Sequence, residues 1–179
     1  MGDRQPKGPE MDERDAEFSA YVASRSSALR RYAYLLTGDL ASADDLLQDS
    51  LLKVYRQWSH VSGPGIDRYV RVVITRTHIS VWRHVGRFES PVEALADVGS
   101  PDRTDEVATR DEVWRLLQGL GPRQRAVVVL RFWSDLPEAE IATTLSCLIG
   151  TVKSQLHRAL AHLRTALPDD TYAPEGGRR

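Results

Sequence analysis

The chain has 179 residues, 41% of them apolar and 27% charged, with a formal net charge of −1. That size admits one domain or two small ones with ordinary globular cores. No apolar run is long enough to cross a bilayer, the polar start MGDRQPKGPEMDERDAE has no secretion-signal core, and the single cysteine, Cys147, leaves no internal disulfide and suits a reducing cytoplasm.

Residues 1–13 are polar and rich in Pro and Gly, and are expected to be disordered. A helix is predicted from about Asp15, with Phe18, Tyr21, Val22, Leu29, Tyr32, Ala33 and Leu36 at helical spacing and Thr37-Gly38-Asp39 as its end. A second helix, Ala41 to Trp58, has an apolar stripe of Leu46, Leu47, Leu51, Val54, Tyr55 and Trp58, and presents Asp44, Asp45, Gln48 and Asp49 on its polar side. Ser59 to Asp67, with Gly63-Pro64-Gly65, reads as a loop. A third helix, from about Arg68 to His84, partly buries Tyr69, Val72, Val73, Ile74, Ile79 and Trp82. The stretch Arg68 to Arg87 holds five arginines, two histidines and no acid.

Glu89 to about Asp105 reads as a linker, and Glu89 to Glu112 holds eight acids against two arginines. A second helical unit follows. Val113, Leu116, Leu117 and Leu120 form one stripe. Pro122 suits the first position of the next helix, which Ala126, Val127, Leu130 and Trp133 line. No stretch shows the alternation of a strand. The fold class is therefore all-α: two small helical domains joined by a flexible acidic linker.

The run LPEAEIATTLSCLIGTVKSQLHRALAHLR, Leu136 to Arg164, reads as two helices joined by a tight turn, a helix-turn-helix. Pro137 opens the first, which turns Ile141 and Leu145 inward. The second, from about Gly150-Thr151, buries Val152, Leu156, Leu160 or Ala159, Leu163 and Leu167. It presents Lys153, Ser154, His157 and Arg158, with no acid between Ser146 and Leu167. Such a face can meet phosphates and base edges in a DNA groove. Alone, an amphipathic basic helix is more often a solvated face; the helix-turn-helix spacing is what favours DNA.

The segment LGPRQRAVVVLRFWSDLPEAEIATTLSCLIGTVKSQLHRALAHLR resembles the C-terminal DNA-binding domain of bacterial sigma factors of the small extracytoplasmic-function type. ADDLLQDSLLKVYRQW is similar to the helix with which these factors grip core RNA polymerase. YVRVVITRTHISVWRH resembles their minus-ten helix in the form of the SigE-like actinobacterial subgroup. The resemblance spans about residues 16–167. It implies five segments: a disordered start (1–13), sigma region 2 (14–88), a linker (89–107), sigma region 4 (108–167) and a tail (168–179).

The resemblance also implies roles. Asp44, Asp45, Leu47, Gln48, Asp49 and Leu52 would dock on a coiled coil of the polymerase largest subunit. Arg68, Tyr69, Arg71, Arg76, Trp82 and Arg83 would meet the minus-ten element, with the 59–67 loop capturing a flipped base. Lys153, Ser154, His157 and Arg158 would read the minus-35 element. The partners are core RNA polymerase, promoter DNA and, as a further candidate, an anti-sigma factor; no membrane is involved. The expected function is promoter-directed initiation in the cytoplasm, without catalysis, cofactor or metal. The scattered histidines His60, His78, His84, His157 and His162 make no metal or triad pattern. The alternative is a stand-alone helix-turn-helix regulator, which would need neither the Asp44–Trp58 helix nor the arginine-rich one.

Three positions depart from the family pattern. Ser146 stands where Gly is frequent in the turn. Leu148 stands where a capping Ser is usual, a loss expected to cost ~0.5–2 kcal/mol. Arg76 replaces a common Asn.

Overall fold

The computed structural model describes residues 13–85 and 113–166, except for the side chains of residues 82–85. The described residues are helical, with no strand among them. The first unit contains α1 (Glu13–Thr37), α2 (Leu40–Arg56), the single turn α3 (Trp58–Val61) and α4 (Ile66–Val85). The second contains a helical segment α5 (113–117), α6 (Pro122–Val128), a π-helical continuation (Val129–Trp133), α7 (Glu138–Leu145) and α8 (Ile149–Ala166). Residues 1–12 of the segment expected to be disordered, the whole linker and the tail lie outside the described residues, while Glu13, expected in that segment, begins α1.

Local chemistry explains the helix boundaries. Gly38 ends α1 at φ +78°, and a Cβ there would overlap the Trp114 ring, so glycine is required both for the turn and for the packing. Asp39 then caps α2: its carboxylate accepts the Ser42 N–H at 2.6 Å, which holds its pKa below the usual carboxylate value. The expected 59–67 loop is shorter than its sequence suggests. Trp58 is buried and fixes one helical turn through Val61, and α4 begins at Ile66, leaving Ser62–Gly65 as the connection. At the second unit, Pro122 opens α6, and the Gln124 side chain accepts the Gly121 N–H at 3.3 Å.

In the first unit α1 packs on α2 and α4 around Leu29, Tyr32, Leu36, Leu46, Val54, Val70 and Ile74. Phe18, Tyr21, Tyr55 and Trp58 form an aromatic cluster at its far end, with ring centroids 5.1–5.2 Å apart. In the second unit α8 packs on α6 and α7 through Val152 and Ala159. Leu120, Val127, Leu130, Leu136 and Ile141 fill its core. Trp133, expected on the buried stripe, is instead 47% exposed. The π-helical segment causes this: the Ser134 N–H reaches back five residues to the Val129 carbonyl, which rotates the end of the stripe outward.

The two units share an interface, with α4 against α6 and α7 and α1 against α6. Four arginines cross it: Arg68 pairs with Glu140, and the other three each donate to a carbonyl near the C-terminal end of a helical segment. Arg125 of α6 donates to the Leu36 carbonyl of α1 at 2.9 Å, and within its own unit to Leu117, Leu120 and Gln118 at 3.1–3.4 Å. Arg76 of α4 donates to the Thr144 carbonyl of α7 at 3.2 Å, and Arg71 to the Trp133 carbonyl at 3.5 Å. The last carbonyls of a helix have no partner within it, and the negative end of the dipole favours a cation. Arg125 also lies 4.3 Å from the Trp114 ring centroid, and burial lowers its pKa to about 10.

Candidate nucleic-acid and polymerase interfaces

Three charged surfaces carry the residues singled out by the sequence. The first is α2. Its exposed ridge contains Asp44, Asp45, Gln48, Asp49 and Leu52, and Leu52 is 53% exposed. The ridge separates two grooves. Asp44, Leu47, Gln48, Leu51 and Leu52 line one of about 630 Å³ toward α1, with Phe18, Val22 and Tyr55 opposite. Asp45 and Asp49 line another of about 410 Å³ toward α4, with Thr77, His78 and Val81. The expected single carboxylate row is therefore split between two faces. Leu47, expected on the docking surface, is a buried core side chain at the floor of the first groove. Its position four residues before Leu51 puts it on the apolar stripe. Asp44 forms an ion pair with Arg30.

His78, in the second groove, has its Nε2 buried with no hydrogen-bond partner. Burial, and secondarily the Arg125 charge, lower its pKa to about 4, so it is neutral at physiological pH.

The second surface is α4. Arg68 and Arg76 are exposed and Arg71 is half-buried, and all three also contact the second unit. Arg68 forms an ion pair with Glu140, while Arg71 and Arg76 make the carbonyl contacts already described. Tyr69 is half-buried against the core and is a packing residue in this conformation. Thr75, fully buried, bonds the Tyr32 hydroxyl at 2.7 Å and fixes α4 against α1. The side chains of Trp82 and Arg83 lie outside the described residues. The turn before α4 is tied down by Asp67, which accepts the Tyr21 hydroxyl at 3.0 Å and pairs with Arg25 at 3.1 Å.

The third surface is α8. The helix-turn-helix is formed as expected. α7 closes with the Cys147 N–H on the Ala142 carbonyl at 3.0 Å and the Ser146 N–H on the Thr143 carbonyl at 3.4 Å. Ser146 adopts the left-handed conformation, φ 51° and ψ 55°, at the position where glycine would be unstrained. Leu148 occupies the cap of α8. Its carbonyl accepts the N–H groups of Thr151 and Val152 at 2.9 and 3.2 Å, but its side chain can accept nothing. Lys153, Ser154, His157 and Arg158 are all exposed on one side of the helix. Lys153 lies 3.9 Å from Glu138, and the Ser154 hydroxyl bends back to the Thr151 carbonyl at 3.0 Å. Cys147 is half-buried and lines a cavity of about 40 Å³ with Ile79, Val127, Leu145 and Val152.

Arg125 escaped sequence reasoning. An arginine directly before AVVVL reads as the polar edge of a helix; only its contact with Leu36 in the fold shows what it does. No group of metal-binding side chains occurs among the described residues, and none of their helices is long and apolar enough to cross a membrane.

Residues 21–88 match the family model for sigma-70 region 2, and residues 110–163 match that for sigma-70 region 4. The chain is 41% identical to the RNA polymerase sigma-E factor of Streptomyces avermitilis, covering 84% of this chain and 85% of that one. It is 35% identical to the ECF RNA polymerase sigma factor SigL of Mycobacterium tuberculosis, over 84% of this chain and 88% of that one. Among solved structures it is similar to the sigma factor RpoE of Bartonella quintana in complex with the anti-sigma factor NepR. The TM-score is 0.59 at 27% identity, with 86% of this chain and 98% of that one covered. CnrH, solved with the cytosolic domain of CnrY, shares the fold at a TM-score of 0.56 and 22% identity, over 87% of this chain and 90% of that one.

Proposed function

The chain belongs to the sigma-70 family as an extracytoplasmic-function sigma factor similar to sigma-E, and from that premise we propose how its residues divide the work of transcription initiation. Residues 14–88 act as region 2, residues 108–167 as region 4, and residues 89–107 connect them. The factor acts in the cytoplasm as a dissociable, non-catalytic subunit of RNA polymerase.

The α2 ridge is the polymerase-docking surface. Asp44, Asp45, Gln48 and Asp49 supply carboxylates and an amide around the exposed Leu52, with Leu47 and Leu51 as the apolar floor. Carboxylates around an apolar centre suit an arginine-bearing coiled coil on the largest subunit. An anti-sigma factor, such as the NepR that accompanies the Bartonella relative, competes for the same faces.

α4 meets the minus-ten element through Arg68, Arg71, Arg76 and Arg83, with Tyr69 and Trp82 as aromatic surfaces for unpaired bases. α8 reads the minus-35 element as duplex through Lys153, Ser154, His157 and Arg158. An arginine paired with Glu140 cannot hold a phosphate at the same time. Minus-ten binding therefore requires α4 to exchange its contacts with α7 for contacts with DNA.

The observation that carries this reading is the pairing, in one chain, of the α2 ridge with an acid-free recognition helix. Run-off transcription with cognate core polymerase and mapped start sites tests it: two-element promoters are expected. In a core-binding assay, Asp45→Lys with Asp49→Lys should weaken association at least tenfold while the α8 unit stays folded. Unchanged association removes the ridge from the interface.

A further inference from the structure

The N-terminal turn of α8 is apolar at its tip. Leu148 is 79% exposed and Ile149 is 46% exposed, and the cationic and polar face follows directly behind them. Ile149, Lys153 and His157 succeed one another at intervals of four residues, so they form one row along the helix; Gly150, Ser154 and Arg158 form the row beside it. Ile149 thus faces the same way as the charged groups, and the exposed Leu148 stands beside it at the cap.

Protein packing does not account for this tip. Leu148 stands at the cap, where Ser, Thr, Asp or Asn would stabilise the helix. Gly150, in the first turn, has no left-handed φ, and a Cβ built on it would meet nothing within 4 Å. Glycine within a helix costs stability relative to alanine, and here neither backbone geometry nor a neighbour among the described residues demands it. Leu148 and Gly150 therefore forgo helix stability and, with Ile149 between them, leave an apolar, close-approaching surface. In helix-turn-helix proteins the N-terminal residues of the recognition helix contact base edges, and the apolar group in the major groove is the C5-methyl of thymine.

We propose that Leu148 and Ile149 are specificity-determining residues that pack on thymine methyl groups at one end of the minus-35 element, with Gly150 admitting the close approach. This rests on the reading of α8 as the minus-35 helix. Lys153 and Arg158 anchor the duplex; the apolar pair selects sequence at the tip.

The test uses holoenzyme assembled from core polymerase and the full chain. A promoter library randomised across the minus-35 element is selected by transcription. Each enriched thymine is then replaced singly by deoxyuridine, which removes only the methyl group. At one or two positions the wild-type chain should lose about fourfold in promoter use per methyl removed, the value of burying one such group. Leu148→Ala with Ile149→Ala should abolish that sensitivity and flatten the thymine preference there. Both side chains are solvent-exposed, so folding is spared, which circular dichroism confirms.

The inference is overturned if no thymine responds to methyl removal, or if the double variant responds as the wild type does. Lys153→Ala separates the two levels. If it abolishes minus-35 dependence while deoxyuridine is silent, the apolar readout alone fails; if it leaves minus-35 dependence intact, the assignment of α8 fails with it.

Discussion

Two basic helices in this chain carry similar charge and meet different surroundings. On α4, Arg68, Arg71 and Arg76 are bound by the second unit, to Glu140 and to the carbonyls of Trp133 and Thr144. On α8, Lys153, His157 and Arg158 are exposed, and Lys153 has only a long contact with Glu138. One proposed nucleic-acid surface is engaged by the second unit, and the other carries only that long contact, in the same conformation. A cation prepared for phosphate is equally well suited to the end of a helix, because both present concentrated negative charge to a donor. The same chemistry can therefore hold the molecule shut or hold it on DNA.

The α8 face should show the largest effect. Lys153→Ala with Arg158→Ala is expected to reduce minus-35-dependent initiation by roughly 10- to 100-fold, from two lost contacts to base edges or phosphates. Core binding through α2 should not change. The salt dependence of holoenzyme binding should become shallower, since fewer counterions are released. An unchanged salt slope would mean that these side chains do not reach the backbone of the duplex.

Arg125 ties the second unit to α1. Replacing it with Met keeps most of the stem but removes the charged donor from the carbonyls of Leu36, Leu117, Gln118 and Leu120. Hydrogen bonds to a charged group are worth more than neutral ones, so a loss of about 3 kcal/mol in denaturant unfolding is expected. If the two units instead unfold in separate transitions in this variant, the Leu36 contact is what couples them.

This dependence on distant partners shows what could and could not be read from the sequence. The helices that carry the three surfaces were legible, because each rests on its own 3.6-residue period and its own breakers: Gly38, Gly63-Pro64-Gly65 and Pro122. The helix-turn-helix was legible for the same reason, including the strain at Ser146, since a non-glycine residue stands where the turn is left-handed. What no local pattern could give were judgements that depend on a neighbour. Leu47 belonged both to the apolar stripe and to the expected docking row, and only the packing of α1 on α2 puts it at the floor of the groove. Trp133 looked buried until the π-helical segment shifted the stripe. The reach of Arg125 to Leu36 spans 89 positions of sequence, and no local pattern encodes it.

Acid should destabilise the fold through His78. In the folded chain its pKa is about 4, and in the unfolded chain it returns to the ordinary value near 6.5. The unfolded state then takes up a proton that the folded state refuses. Stability is full above about pH 6.5, declines as the pH falls below it, and the loss levels off near 4. By pH 5 the loss approaches about 2 kcal/mol. Arg125 opposes the proton, and Asp45 and Asp49 line the same groove without offsetting burial. The difference in unfolding free energy between the wild type and His78→Leu, followed from pH 7 to 5, isolates this group from the carboxylates. A constant difference across that range would show that His78 titrates normally.

The smallest effect belongs to the ion pair that closes α4. Arg68 and Glu140 are each about half exposed, so water and salt screen them, and such pairs contribute ~0.2–1 kcal/mol. Glu140→Ala should therefore raise the affinity of the free chain for a forked minus-ten duplex by no more than about fivefold, with most of the gain lost at high salt. The same variant should leave α8 unaltered, because Glu140 lies on α7 and the exposed face of α8 carries its own cations. Distances between labels on α1 and α8 would separate two causes. A gain in affinity with a longer distance means that the units part; a gain at constant distance means only that Arg68 has been released. No gain at all would show that the carbonyl contacts of Arg71 and Arg76, rather than the ion pair, keep this surface closed.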